Sequence, residues 1–232
     1  MKRSPIWKRL DEFLLCSLLL FLGSHTSQAL EIVLADNLSE SFDGYVGVSN
    51  TQWVAQAFTT NSAGFELNSV SLRLFNNSGT TGTFELQIWN SVEPGGRPGE
   101  KVGSAIYSGL AEGLSSTAPG LLTVTGLEMT LATNTTYYIV AIGVSLTDVD
   151  IAGDLYPGSL GWSSTPSNDG TGFPAAKWDS TDSGLNWIGP FTGYNYGMRV
   201  TAVPEPSTWA LAGLGVLALG WSRRAAIFKA AA

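Results

Sequence analysis

One cysteine and one histidine are all that the 232-residue sequence holds, and both lie near its start, at Cys16 and His25. Just after them, Ser27-Gln28-Ala29 places small residues where a leader would be cut. A chain cleaved there keeps neither group. It can form no disulfide, so packing alone must stabilise it. It has no thiol nucleophile and no imidazole base, and it lacks the nitrogen and sulfur side chains that usually bind zinc. Charge is also scarce, at 13% of residues, while aromatics reach 11%. That balance excludes a disordered chain, which needs high charge and few aromatics. Basic charge is scarcest in the middle. Residues 30–203 hold five basic groups (Arg73, Arg97, Lys101, Lys177, Arg199) against sixteen acidic ones, a net −11. Nucleic acid is excluded as a partner, because its binding rests on neutralised phosphates.

Long apolar runs are confined to the two ends. Residues 1–29 read as a signal peptide for signal peptidase: a basic start, an apolar run from Phe13 to Leu22, then the small residues at the cut. That run spans roughly 15 Å as helix, too short for a bilayer core of about 30 Å. Leu15 stands where a lipid-modified cysteine at position 16 would need a small neighbour, so Cys16 is not read as a lipid anchor. At the other end, Val203-Pro204-Glu205-Pro206 interrupts any ladder or helix. An apolar run from Trp209 to Trp221 follows, with an aromatic at each end, and then Arg223 and Arg224. The expectation is a short transmembrane helix at about 208–222, with the arginines held on the cytoplasmic side and the body outside. A buried core helix is the competing reading, but such a helix carries a polar stripe and this run has none.

Val203, Pro204, Glu205 and Pro206, a short apolar helix, and Arg223 and Arg224 resemble the PEP-CTERM sorting signal of Gram-negative bacteria. The resemblance implies processing by exosortase, an integral-membrane cysteine protease. It also implies an envelope or extracellular location in a bacterium that makes exopolysaccharide. The resemblance covers about the last 25 residues before the tail from Ala225 to Ala232.

Between the two addresses the pattern is β. Val70-Ser71-Leu72-Arg73-Leu74 and Phe84-Glu85-Leu86-Gln87-Ile88 alternate with period two, as half-buried strands do. Leu121 to Val124 and Tyr137 to Ile142 are denser in apolar residues and read as central strands. Trp53 to Phe58 reads as an earlier strand, and Met198-Arg199-Val200 closes the domain before the prolines. Asn76-Asn77-Ser78-Gly79 and Glu93-Pro94-Gly95-Gly96-Arg97-Pro98-Gly99 carry turn chemistry. Residues 156–197 read as long loops with a few strands. No stretch of the body holds a long 3.6-residue period. The expected fold is an all-β ectodomain over 30–202, sandwich- or jelly-roll-like. The sorting segment takes 203–232.

The body also resembles the choice-of-anchor R domain over about residues 34–202. The resemblance rests on Trp53-Val54-Ala55-Gln56-Ala57-Phe58, Leu67 to Leu74, Ile88-Trp89-Asn90 with Gly96-Arg97-Pro98-Gly99, and Leu131 with Thr135 to Val140. It implies an extracellular fold and supplies no chemistry.

Three candidate sites stand beside plainer readings. Asp148, Asp150 and Asp154, with Gly153 among them, could give a calcium ion its oxygen ligands. The EF-hand spacing fails at Ala152 and Ser159, so a solvated acidic loop competes. Trp162, Trp178, Trp187, Phe191, Tyr194 and Tyr196, with Asn168, Asp169 and Asn186 nearby, could form a platform for sugar rings. The plainer reading is a core beneath long loops. A carboxylate pair could hydrolyse glycosides without histidine or cysteine, but no motif marks one. A Ser-Lys dyad would need Lys101 or Lys177, and neither sits in a motif. No resident cofactor is expected beyond that calcium. The expectation is an exported, non-enzymatic surface or matrix protein, sorted by its C-terminus and associated with exopolysaccharide. A carbohydrate-binding module using the 156–197 aromatics is the first alternative, and a glycoside-active enzyme the second.

Overall fold

A computed structural model describes residues 31–204, apart from 63–64, 77–78, 94–95, 148–158, 167–169 and 174–175. Asp148, Asp150 and Asp154, and likewise the expected signal peptide, Glu205, Pro206, the apolar run and Arg223 and Arg224, therefore lie outside the described residues. In chain order the strands are β1 (Ile32–Asp36), β2 (Gly44–Val48), β3 (Trp53–Thr59), β4 (Phe65–Asn76), β5 (Thr83–Ser91), β6 (Pro98–Lys101) and β7 (Tyr107–Leu110). A 3-10 turn, Ala111–Gly113, precedes β8 (Gly120–Leu131), β9 (Thr136–Gly143), β10 (Leu160–Ser164), β11 (Lys177–Ser180), β12 (Ile188–Phe191) and β13 (Met198–Pro204). All strand pairs are antiparallel. The strands form two sheets in a sandwich-like all-β body. Among the described residues no helix is long and apolar enough to cross a membrane.

β4 is the spine of the first sheet. One edge pairs with β13 and then with β10, and the other pairs with β8. β1 lies beyond β13 and β2 beyond β10. Phe65, Leu67, Val70, Leu72 and Leu74 of β4 are all buried in the core between the sheets. The alternation skips a position between Leu67 and Val70. There Gly126, Leu127 and Glu128 of β8 stand opposite Asn68, and this bulge resets the face on which apolar residues fall. Gly126 and Glu128 take φ of +69° and +45° to make it.

The second sheet runs β12-β11-β3-β9-β5, with β6 and β7 sharing the outer edge of β5. Every residue of β9 is buried, as expected of a central strand. Its Tyr137, Ile139 and Ala141 face the core between the sheets, where Phe58, Phe84, Leu86 and Ile88 join them. Its Tyr138, Val140 and Ile142 face the opposite way, into a smaller cluster with Ala55 and Ala57 of β3. Burying each such aliphatic or aromatic side chain contributes roughly 1.5–3 kcal/mol.

The expectation for Leu121 to Val124 needs correction. This segment is not central: β8 pairs only with β4 among the described residues, so it is an edge strand. The C-terminal boundary also moves. β13 continues through Val203 to Pro204, which stands opposite Phe65, so the first two sorting residues belong to the sheet. Pro204 has no N–H to donate, which suits it to the end of a ladder.

Candidate functional site

Structure divides the candidate aromatics into two groups. Trp162 and Tyr196 are 0% exposed and pack together at the centre of the core, ring centres 5.1 Å apart. The Trp162 indole donates to the Gly197 carbonyl at 3.0 Å. These two residues present no surface to a sugar and leave the candidate platform. Tyr194 is half-buried, and its ring meets Tyr196 edge-on at 5.8 Å.

Trp178 and Trp187 lie instead on the outer face of the second sheet, and there they meet Trp53 and Trp89. The Trp89 ring stands edge-on to Trp53 at 6.1 Å and to Trp187 at 5.9 Å. Ala55 and Ala57 point outward beneath the rings, and their small side chains leave room for them. The turn between β11 and β12 folds over this face. Gly184 sits so close to the Trp53 ring that a β-carbon there would stand 2.5 Å from it, and Gly189 approaches Trp178 to 2.9 Å in the same sense. Both ring systems are therefore capped by backbone. The four tryptophans form a satellite core under a loop, half-buried. Nothing in the sequence places Trp53 and Trp89 beside these rings, because they lie far from residues 156–197 in the chain.

The polar cluster that the structure does assemble starts on β11. Lys177 and Asp179 are two residues apart and share the inward face, while Trp178 takes the outward one. Lys177 is fully buried; its ammonium donates to the Tyr194 carbonyl and lies over the Tyr194 ring. Burial pulls its pKa down to about 8, partly offset by the charge of Asp179. Burial raises the pKa of Asp179, against the hydrogen bond from Tyr196 and the charge of Lys177. The Tyr196 hydroxyl donates to Asp179 Oδ1 at 3.2 Å. Burial and the neighbouring Asp179 charge push Tyr196 well above its ordinary value. A buried lysine of this kind can be a nucleophile in an accessible pocket. Here its burial keeps a substrate away, and the role the geometry supports is structural.

Asp179 and Tyr194 do reach a surface cleft of about 370 Å³. The cleft opens on the side of the sandwich where β2 faces β11. Asp43, Tyr45, Gln52 and Thr165 complete its polar lining. The Tyr45 ring is braced edge-on by Phe75 at 5.1 Å. Carboxylates, an amide, hydroxyls and a fixed aromatic ring make up the donor, acceptor and apolar complement of a polyol. Among the described residues no group of three or more Asp, Glu, His or Cys is placed to hold a metal ion.

The family model of the PEP-CTERM protein-sorting motif matches residues 202–224. It therefore begins within β13, and it marks an exported, membrane-associated protein sorted by an exosortase-type system. No curated protein matches the chain. Among solved structures, the chain is similar to a clostridial cysteine protease, Cwp84, after propeptide cleavage, at 13% identity and a TM-score of 0.49, over 75% of this chain and 40% of that one. It is also similar to the cysteine protease and lectin-like domains of Cwp84, a surface layer associated protein of Clostridium difficile. There the identity is 15% and the TM-score 0.44, over 68% of this chain and 33% of that one. The chain thus spans less than half of either neighbour.

Proposed function

We propose that this chain is a non-enzymatic cell-surface or matrix protein of a Gram-negative bacterium, cut by an exosortase-type protease and retained with exopolysaccharide. One observation carries the reading: the sorting motif at 202–224 starts inside the last strand of the body. β13 lies between β1 and β4, so the signal leaves directly from the interior of a sheet, with no linker before it. The non-enzymatic part rests on the sequence, which holds no histidine or cysteine after residue 25. A choice-of-anchor R body is consistent with this role. The test is intact-mass analysis of the protein from an exporting host, with and without its exosortase. A terminus near Leu30 is expected in both hosts, and one near Pro206 only with the exosortase present. Recovery of the uncut chain from the cytosol would overturn the reading.

A second reading is favoured by the cleft at Asp179. It makes the protein a carbohydrate-binding module whose sugar sits against Tyr45, Gln52 and Asp179, not on the tryptophans. A glycan array separates the two placements. Binding lost in Tyr45→Ala but kept in Trp187→Ala supports the cleft. Turnover on a polysaccharide panel would instead support a glycoside-active enzyme.

A further inference from the structure

β8 has the composition of a covered strand and the position of an uncovered one. Residues 113–127 contain no charged side chain, in a body that carries −11. Edge strands normally carry lysine, proline or charge to discourage pairing with another chain. From Gly120 to Thr125 this one carries none of these, and its only blunting feature is the bulge that follows at Gly126–Glu128. Leu121 is 59% exposed on the outer face. On the inner face Leu122, Val124, Leu127 and Met129 are only partly buried.

The reason for that partial burial is an open side of the sandwich. A cleft of about 460 Å³ lies between β8 and the segment joining β6 to β7, lined by Ala105, Ile106, Val124, Leu127 and Met129. One more strand on the edge of β8 that is unpaired among the described residues would find its hydrogen-bond partners in the backbone and drop alternate side chains into this cleft.

We infer that the missing strand is β8 of a second copy, so that two molecules join their first sheets across a two-fold axis. Charge selects this occupant. Two bodies of −11 repel each other over most of their surfaces, and the uncharged 113–127 segment is where they can approach without facing like charges. The register follows from the side-chain faces. Residues directly opposite across an antiparallel pair point to the same side, so exposed residues must meet exposed ones. With Thr123 on the axis, Leu122 meets Val124 and Leu121 meets Thr125, and Glu128 falls outside the central ladder. This pairing is independent of sorting and of any sugar, so its failure would leave the proposed function untouched.

The test uses the full chain in detergent with Cys16→Ser, which leaves no other thiol. Thr123→Cys places the two α-carbons about 4.5–5.5 Å apart, within disulfide reach. Leu121→Cys places them on the order of 14 Å apart, beyond it. Oxidation is expected to convert most of the Thr123→Cys protein to a covalent dimer and little of the Leu121→Cys protein. Thr123→Lys sets two ammonium groups face to face on an exposed position, and sedimentation is expected to show at least a tenfold weaker dimer with the β-sheet circular dichroism of the wild type kept. A wild-type monomer at high micromolar concentration would overturn the inference and mean that the edge is covered by the protein's own chain. A dimer that survives Thr123→Lys, or cross-linking as efficient at position 121 as at 123, would overturn it equally.

Discussion

The Lys177 ammonium lies 3.2 Å from the centre of the Tyr194 ring and donates to the carbonyl of the same residue. Asp179 and Tyr196 are the other ionisable groups that face it, so this buried cation is held by a ring, a carbonyl and one nearby carboxylate. Removing one partner of a buried charge pair leaves the other uncompensated, and here that other is Asp179. Lys177→Met keeps most of the volume but strands that carboxylate, and is expected to be less stable than wild type and more stable than Lys177→Ala. Lys177→Ala leaves a cavity and is expected to cost about 2–4 kcal/mol. Urea denaturation of the three proteins checks the order.

The same group gives a pH dependence. Its folded pKa of about 8 lies below the ordinary lysine value of 10.5. Between those values the unfolded chain binds more protons than the folded one, so stability rises with pH across the window. Below about 8 both states are protonated and the contribution is flat. The difference in unfolding free energy between wild type and Lys177→Met is expected to move in favour of wild type from pH 8 to pH 10. A difference that stays constant would mean that the amine is solvated.

Trp162 and Trp187 separate a core role from a rim role. Trp162→Ala empties the space beside Tyr196 and leaves the Gly197 carbonyl with the Arg73 N–H alone, and is expected to cost roughly 3–5 kcal/mol. Trp187 is half-buried and held through Trp89. Its loss is expected to cost on the order of 1–2 kcal/mol, since less area leaves water. Equal losses at the two positions, measured by denaturant midpoint, would contradict this division.

The strands that alternate or run dense in apolar residues were legible in the sequence, because side-chain period reports directly which faces are buried. β3, β4, β5, β9 and β13 all lie where the pattern places them. Three things were not legible. Side-chain pattern says nothing about whether both backbone edges of a strand are paired, so the apolar run from Leu121 reads as central and lies at an edge. Nor does the segment Lys177-Trp178-Asp179 itself say that the tryptophan faces outward and the lysine inward. The outward face offers the tryptophan a second apolar surface, made by Ala55, Ala57 and Val140, and nothing local announces that surface. The candidate cleft was illegible for a related reason, since its lining comes from segments more than a hundred residues apart.

The sorting residues divide between sheet and signal, and substitution should separate the two. Val203 stands opposite Glu66 in the ladder of β4 and β13. Val203→Asp adds a carboxylate directly across from another, and is expected to lower stability by about 0.5–1 kcal/mol while also disturbing the signal. Glu205 lies past the end of β13. Glu205→Ala is expected to leave the melting temperature of the body unchanged and to abolish C-terminal cleavage, read by intact mass. Cleavage that proceeds normally in Glu205→Ala would show that the exosortase reads something other than this motif.

Gly172 fastens the loop after β10 to β1, through the bridge between Asp36 and Thr171. Its φ is +79°, and a β-carbon there would overlap the Leu34 carbonyl oxygen. Gly79 has a similar φ of +68° but open space around it. Both positions charge an alanine about 1–2 kcal/mol for the left-handed backbone. Only Gly172 adds the clash, which must be relieved by pushing β1 outward, a further cost of roughly 1–3 kcal/mol. Because β1 is the edge beyond β13, that displacement also loosens the strand from which the sorting signal emerges. Gly172→Ala is therefore expected to melt earlier than Gly79→Ala. It should also expose the amides of Val200 and Ala202 to faster hydrogen exchange, while Gly79→Ala leaves them protected. Equal exchange in the two variants would show that β1 does not brace the last strand.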